Sequence, residues 1–547
     1  MKLINSKYTF LIFIISLSLC NNNSIAQVAY EPTYKTSYEY LTRMSQRGLI
    51  ELDDVVLPLS RYVVYQKLTL LYIQRDKLTP LEWNELQFYL KDFYFDRNFI
   101  DTTKQEKYGL RFLKWKIDDR LRPFASIKKN YALNIQPILG GRFQNTAGST
   151  NFKRTTGFAM YGYLHKRVGF GFSFTENNEN GQTIDKTRAF SPETGFLGTK
   201  SAKSIQYSEV KTNTTYNWNW GQFTVGQDQV QWGYGYRGKL VLSDKAPNYP
   251  FMRLDLKINE NISFNMTNMW LSSFVIDSSQ VRPTSTNTNQ IDFVPKYLST
   301  HSFNIKVTRG LNFAFGESII YNNRLKLGYL LPLSFFRAQS HYDGELGKTN
   351  TVSNSQFFLL LNSRNLIPRT QLFFQFFVDE MSFSKFFNKD LMRNQTGYQV
   401  GFNIYNFPIR NLTLLTDYTR IRPLAYVHFI PAQTYASGGY LLGSWIGPNA
   451  DQWISSMQYR IIRGLKISGD FSIVRKGDVG DGYLQQSERG TKFLYGTQNI
   501  FNTFSGKLDF EITHDLFLRA RVDFQNQQRY RYSANSKSWI INLSYGI

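Results

Sequence analysis

The chain has 547 residues, with 64 lysines and arginines against 41 aspartates and glutamates, a net charge of +23, and 16% aromatic residues at a mean hydropathy of −0.36. Its one cysteine is Cys20, so a chain cut after Ala26 holds no disulfide framework, thiolate metal site or cysteine nucleophile. Beyond the first residues no stretch reaches the roughly 18 apolar residues of a membrane helix. Many rings at low hydropathy instead suit a transmembrane β-barrel, where alternation halves the apparent hydrophobicity and Tyr, Phe and Trp gather at the two interfaces.

Lys2 and Lys7 lead into an apolar run from Phe10 to Leu19, and Ser24-Ile25-Ala26 forms a small-x-small cleavage site. Residues 1–26 are therefore expected to be a secretory signal peptide, with the mature chain beginning near Gln27. Leu19 fills the slot where a lipoprotein signal carries a small residue before its cysteine, which argues against lipid attachment at Cys20. Export argues against nucleic acid as the partner of so basic a chain. Outer-membrane lipid or an acidic polysaccharide fits the charge, in an interaction that salt should weaken.

From about Tyr30 to Phe95 the period is helical. Thr36 and Glu39 spell a capping box, Tyr38, Leu41 and Met44 fall three apart, and Gly48 is placed to end the helix. Ser60 can cap a helix carrying Val64, Leu68 and Leu71. A second box has Thr79 as cap, Pro80 at the first position and Glu82 reaching back, with Leu86 and Leu90 continuing one face to near Tyr94. Residues 27–110 are read as a small helical domain on the periplasmic side.

From about Trp115 the period becomes two, and residues 111–547 are read as the barrel. It shows in Tyr131, Leu133, Ile135; in Phe170, Phe172, Phe174; in Tyr216, Trp218, Trp220; in Ile262, Phe264, Met266; in Phe303, Ile305, Val307; and in Leu518, Ala520, Val522, Phe524. The polar residues between them suit a wet lumen. A secreted sandwich or propeller would also alternate, but no blade-length repeat is visible. At the terminus Trp539, Ile541, Leu543, Tyr545 and Ile547 share one face, which is expected to meet lipid while the strand pairs with the first to close the cylinder. Its aromatic end resembles the signal read by the barrel assembly machinery. Long polar stretches at Thr175–Ser204, Ser272–Thr300, His341–Ser355 and Gly477–Gly496 are the candidate exterior loops.

Gly233, Gly235 and Gly238 spell G-x-G-x-x-G, but Lys239 to Leu242 read as strand, so no dinucleotide unit follows. The same segment carries Trp232, Tyr234 and Tyr236, rings that could stack on sugars or anchor the wall. Catalytic signatures are absent: there is no H-E-x-x-H or G-x-S-x-G, and the five histidines, His165, His301, His341, His428 and His514, lack metal-ligand spacing. Adjacent Asp379 and Glu380 would point to opposite faces of a strand, which leaves a pairing of Glu317 with either as the carboxylate pair of a hydrolase. The alternative is that Glu317, Glu380, Asp417 and Asp451 pair with Arg324, Arg420 and Arg422 inside the lumen.

Several short stretches occur in one order along the chain: Tyr40-Leu41-Thr42-Arg43 with Arg47-Gly48-Leu49-Ile50; Leu57-Pro58-Leu59; Gly226-Gln227-Asp228; Trp232-Gly233-Tyr234-Gly235; Phe315-Gly316-Glu317-Ser318; Phe377-Val378-Asp379-Glu380; Tyr418 to Pro423 with Tyr426 and His428; and Leu442 to Asp451. Together they resemble the capsule-assembly Wzi family. The resemblance implies an all-β transmembrane barrel of about eighteen antiparallel strands with a small N-terminal helical domain. It implies a non-catalytic, lectin-like role at the cell surface, attaching capsular polysaccharide or exopolysaccharide; from the residues themselves, no cofactor or metal is expected. Tyr234 stands where the family often has proline, and the stretch from Ser243 to Pro247 is only loosely similar.

Candidate polysaccharide-binding residues are Trp232, Tyr234, Tyr236 and Arg237, then Arg420, Arg422 and His428, then Trp445, Asn449 and Asp451. Rings can cover an apolar sugar face while Asn, Asp and Arg meet hydroxyls or carboxylates. A channel or transporter barrel is the competing function, since polar lumen residues would serve it equally well.

Overall fold

The computed structural model describes residues 29–547 apart from 94–95, 98–119, 129, 166, 286–287, 348–352, 381–394 and 479–491. The expected signal peptide and the expected domain boundary near residue 110 lie outside the described residues.

Eighteen long antiparallel strands form one closed barrel. They are Tyr131–Thr146, Ser149–Leu164, Val168–Gly181, Ser204–Trp218, Gly221–Asp228, Tyr249–Lys257, Ile262–Ile276, Phe293–Thr308, Leu311–Asn322, Asn354–Arg364, Thr370–Glu380, Gln395–Tyr405, Leu412–Ile421, Ala450–Ile462, Leu465–Lys476, Asn499–Thr513, Leu516–Arg529 and Tyr532–Tyr545, here β1 to β18 in that order. The terminal strand does pair with the first, Ser538 opposite Thr146 through Tyr545 opposite Leu139. Below that seam the edge of β1 from Tyr131 to Ile135 is taken by a short strand, Phe124–Lys128. Closure leaves no row of unpaired backbone along the seam.

Alternation sets what the wall shows. On β18, Trp539, Ile541 and Leu543 are 36%, 47% and 52% exposed, and Phe143, Phe504 and Phe524 on neighbouring strands join them in an outward apolar belt. A belt of this kind on a closed barrel is what a bilayer requires. Tyr545 departs from the expectation for its face: it is buried, its hydroxyl donating to Leu121 O at 3.2 Å and accepting from Leu121 N at 2.8 Å.

Short turns such as 309–310, 463–464 and 514–515 lie at one end of the barrel, and most long connections lie at the other. The helices α1 (Ser37–Gln46), α2 (Arg61–Ile73) and α3 (Pro80–Asp92) sit at the short-turn end. Two of the four expected exterior loops are shorter than their polar sequence suggested, because polar residues continue the strands, and the third belongs to a longer connection, 323–353, that contains a helix. β3 runs to Gly181, β7 runs to Ile276 with β8 starting at Phe293, and His341 lies in a helix, α4 (Phe336–Gly347). The core of the fourth, residues 479–491, lies outside the described residues.

In the helical domain the Ser60 side chain accepts from Val63 N, and Thr79, Pro80 and Glu82 form the full capping box. The box expected at Thr36 does not form. Thr36 instead donates to Glu511 of β16, and Glu39 meets Arg460 at 2.8 Å and Lys466 at 2.9 Å, so both residues serve docking to the barrel. Gly48, at φ +70°, ends α1 as expected. The apolar faces bury Tyr40, Leu41, Met44, Val64, Leu68, Leu71, Leu86 and Phe93 together. Around them a buried ionic seam joins helices to barrel: Arg120 bridges Asp92 at 2.6 Å and Asp515 at 2.8 Å, Lys35 also contacts Asp515, and Arg364 meets Asp54 at 2.7 Å.

His514, in the turn after β16, stacks on Phe88 at 3.7 Å. Burial, set against nearby Asp92 and reinforced by the Arg120 charge, lowers its pKa from the ordinary 6.5 to about 3. The unfolded chain therefore binds the extra proton first, and stability falls as pH drops from about 6.5 toward 3. His514→Phe, which keeps the stack and removes the titration, is expected to flatten the loss of docking between pH 6.5 and 4, read by protease sensitivity of the helical domain. Leu543→Asp places a charge on the lipid-facing belt; it is expected to reduce the heat-modifiable, folded fraction after membrane assembly.

Candidate functional site

A chain segment plugs the lumen. The connection from β5 to β6, residues 229–248, descends the bore until Gln231 and Trp232 pair with Leu57 and Val56 of the helical domain. Gly233 N donates to Val55 O at 2.8 Å, and Trp232 and Leu242 bridge each other at 2.9 and 3.3 Å as the chain turns back. Gly233, Gly235 and Gly238 hold φ of 105°, 124° and 92°, a region closed to most side chains. The glycine motif is thus the condition for this path. Lys239 to Leu242, expected as a strand, forms only that single bridge.

Backbone inside a barrel has no sheet partner, so wall side chains must satisfy it. Tyr234 N donates to Gln375 Oε1 at 3.0 Å, and Gln375 Nε2 returns a bond to Tyr234 O at 2.8 Å. Tyr236 N donates to Asp417 Oδ2 at 2.9 Å, and Gln399 Nε2 donates to Gly238 O at 3.4 Å. Arg237 reaches Asp470 at 3.3 Å. The expected wet lumen is corrected by these contacts: its polar residues hold a plug.

Toward the mouth with the long connections, the β13–β14 connection, residues 422–449, covers the plug. Tyr426 N donates to Asp379 Oδ2 at 2.7 Å and its hydroxyl donates to Leu240 O, while the Tyr435 hydroxyl donates to Val241 O at 3.0 Å. Tyr426 and Tyr435 stack at 5.4 Å, with Phe377 edge-on to them at 5.1 and 5.3 Å. Lys476 Nζ caps the carbonyls of Ile446 at 2.9 Å and Pro448 at 2.6 Å.

The sequence candidates therefore divide among three places. Trp232 is fully buried and edge-on to Phe358 at 6.0 Å, Tyr234 is buried beside Phe373 at 6.2 Å, and Tyr236 and Arg237 are half-buried, all four within the plug. Trp445 is buried against Phe190 at 5.2 Å, and Asn449 is buried with Nδ2 donating to Asp478 O at 2.7 Å and Tyr495 O at 3.0 Å. Arg422 and His428 are half-buried at the long-connection end. Burial lowers the His428 pKa to about 4, and its Nδ1 accepts from Ile430 N at 3.1 Å, so the ring is neutral at pH 7. Arg420 and Asp451 share the outward phase of their strands with Trp453, which is 56% exposed.

The carboxylates are also redistributed. Asp451 pairs with Arg475, and Asp417 holds plug backbone, so neither forms the expected lumen pair with Arg420 or Arg422. Glu317 faces outward, 3.3 Å from His301, and accepts from Phe336 N at 2.7 Å at the start of α4. Asp379 faces inward, bound by Gln356 and Tyr426. Lying on opposite faces of the wall, Glu317 and Asp379 cannot flank one glycosidic bond. Arg324 is exposed, and the Glu380 side chain lies outside the described residues.

One polar cleft of about 190 Å³ at the long-connection mouth was not singled out from the sequence. It is lined by Arg142, Gln144, Lys153, Glu179, Asp185, Arg188 and Glu193, among others. Arg142 meets Glu193 at 2.7 Å, Lys153 meets Glu179 at 3.4 Å, and Lys245 supports the loop from beneath through the carbonyls of Ser191 at 2.8 Å and Glu193 at 2.9 Å. Burial and the Arg188 charge lower the Lys245 pKa to about 8. The available signal was phase: Arg142, Gln144 and Lys153 sit on the lumen side just before and after the turn at 147–148. The larger cavity, about 1020 Å³, lies at the opposite mouth beside α2 and touches Tyr234 alone among the candidates.

The family model for capsule assembly protein Wzi matches residues 139–537. Among solved structures, Escherichia coli Wzi, described as an outer membrane protein involved in group 1 capsule assembly and a carbohydrate binding β-barrel, aligns at a TM-score of 0.57 and 11% identity, covering 95% of this chain and 100% of its own. The outer membrane protein OprD of Pseudomonas aeruginosa aligns at 0.41 and 11% identity over 76% of this chain and 94% of its own. No curated protein matches the chain.

Truncating a buried ring at the centre of the plug removes about 3–5 kcal/mol of packing. Trp232→Ala is therefore expected to loosen the plug. The intact barrel is expected to be nearly silent in planar bilayers, and removal of residues 231–242 is expected to give stepwise conductance.

Proposed function

Because the chain belongs to the capsule assembly Wzi family, we propose that it is a non-catalytic outer-membrane barrel that holds capsular polysaccharide or exopolysaccharide at the cell surface. The observation that carries this reading is the plug: residues 229–248 occupy the bore and residues 422–449 cover them, an arrangement that suits holding glycan at the mouth better than conducting it. The alignment with a carbohydrate binding barrel of the outer membrane supports the compartment and ligand class. The helical domain then faces the periplasm and the long connections face outward.

At the mouth, the glycan meets Arg142, Lys153 and Arg188 of the polar cleft, and Arg422 and His428 of the covering loop. The cleft has room for roughly one sugar residue, and its paired carboxylates leave guanidinium and amide edges for hydroxyls or a uronate. Trp232, Tyr234, Trp445 and Asn449 act indirectly, by fixing the loops that shape the mouth.

Deleting the gene is expected to release surface glycan into the medium while total synthesis stays unchanged. Complementation with Arg142→Gln and Arg188→Gln together should restore a folded barrel but only part of the retention, measured as the cell-bound to shed ratio. Full retention without the protein would sink this reading, and conductance by the intact barrel would favour a channel.

A further inference from the structure

Arg420, Asp451 and Arg475 form a cluster that the plug and the mouth do not use. Their orientation follows from their strand neighbours. Asp417 faces the lumen, so Tyr418 is outward by one step and Arg420 by a full period. Trp453 is 56% exposed, which places Asp451 on the outer face too, and Lys476 reaches inward to the covering loop, which turns Arg475 outward. In register, Arg420 lies opposite Asp451 and Asp451 opposite Arg475, so two guanidinium groups flank one carboxylate across three adjacent strands.

The cluster is built. The Asp451 side chain is 3% exposed and that of Arg475 is 44% exposed. Arg475 Nε donates to Asp451 Oδ1 at 2.9 Å, a second bond joins Nη2 to Oδ2, and the Tyr418 hydroxyl donates to Oδ2 at 2.9 Å. The Arg420 guanidinium lies 3.8 Å from the Phe493 ring centroid and makes no ion pair among the described residues. Just past the rim, burial and the Arg420 charge lower the Arg422 pKa, a mark of crowded positive charge. Directly beneath, Tyr398 and Tyr418 lie 6.0 Å apart, and the Trp453 indole donates to Thr416 at 2.9 Å. Such amphipathic rings mark the membrane–water boundary. The arginines stand two residues further out, about 6–7 Å along the strand.

From this geometry we propose that Arg420 and Arg475 bind the phosphate of a phosphorylated lipid headgroup in the exterior leaflet, against the outer wall of β13 to β15. Asp451 fixes Arg475 through Nε and Nη2. Phe493 fixes the plane of Arg420, so both forks are preorganised for one anion. The glycan at the mouth and the lipid at the wall are then separate ligands on the two faces of the same strands.

The test uses full-length protein in phosphatidylcholine nanodiscs supplied with bisphosphorylated or dephosphorylated lipid A, with bound lipid counted by native mass spectrometry. The wild type is expected to retain the phosphorylated form preferentially. Arg420→Gln with Arg475→Gln should lose that preference by on the order of tenfold per arginine, the size of one lost charge-assisted hydrogen bond. Arg420→Gln alone breaks no ion pair among the described residues and should show about one such step, which keeps the test valid if the double variant misfolds. Lys537→Gln, an exposed rim residue on β18, should change nothing. Equal retention of both lipids overturns the inference. Displacement of lipid A by millimolar inorganic phosphate also overturns it, by reducing the cluster to a free-anion site. Acidic polysaccharide binding that the arginine variants abolish would assign the cluster to the glycan and overturn it equally.

Discussion

Backbone placed inside a barrel must find hydrogen-bond partners without a neighbouring strand, and the rest of this structure depends on how that is met. An eighteen-stranded wall encloses a bore wide enough for water. Filling it means bringing in a chain segment whose amides would otherwise be stranded. Gln375, Gln399 and Asp417, on three consecutive strands, accept and donate to the segment from Tyr234 to Gly238. Position on the inner face gives these side chains a common direction, and the glycines give the segment a path close enough to reach them.

The two ends of the plug explain the division of labour in the chain. At the lower end it pairs with Val56 and Leu57, so the helical domain is continuous with the material that seals the bore. That domain is fastened to the barrel by buried ion pairs, in which breaking one partner costs more than the intact pair contributes. At the upper end the plug is covered by tyrosines whose rings pack and whose hydroxyls cap carbonyls. The exterior mouth is therefore shaped by contacts that run the length of the lumen, and buried motif residues can influence ligand retention without touching ligand.

Much of the architecture was legible in the sequence because its signals are local. Period two gave the strands, Thr79-Pro80-x-Glu82 gave a capped helix, and the terminal apolar face gave the closing strand. The Thr36 box failed because Glu511 and the pair Arg460 and Lys466 lie far off in sequence and compete for its two members. The site was less legible for the same reason. Composition marked Trp232 to Arg237 as ring-rich but could not say that the segment enters the bore. Asp417 and Arg420 stand three apart on one strand and face opposite sides, so the expected lumen pairing could not form, and which face was the lumen depended on contacts with Tyr236 from another loop. The cleft around Arg142 and Arg188 joins two strands to a connection about forty residues away, a juxtaposition no local pattern encodes.

The charge of +23 takes on a different meaning once its location is known. Several cations are bound to the protein's own carbonyls: Lys245 to those of Ser191 and Glu193, Lys476 to those of Ile446 and Pro448, Lys296 to that of Thr434 at 2.6 Å, and Arg253 to that of Pro58 at 3.0 Å. Loops packed inside a bore expose more acceptors than backbone N–H groups can serve, and an ammonium with three donors satisfies several at once. Part of the basic excess is therefore structural. Net charge alone overstates the field available to an acidic glycan, whose salt dependence should follow the smaller set of cations at the outer mouth.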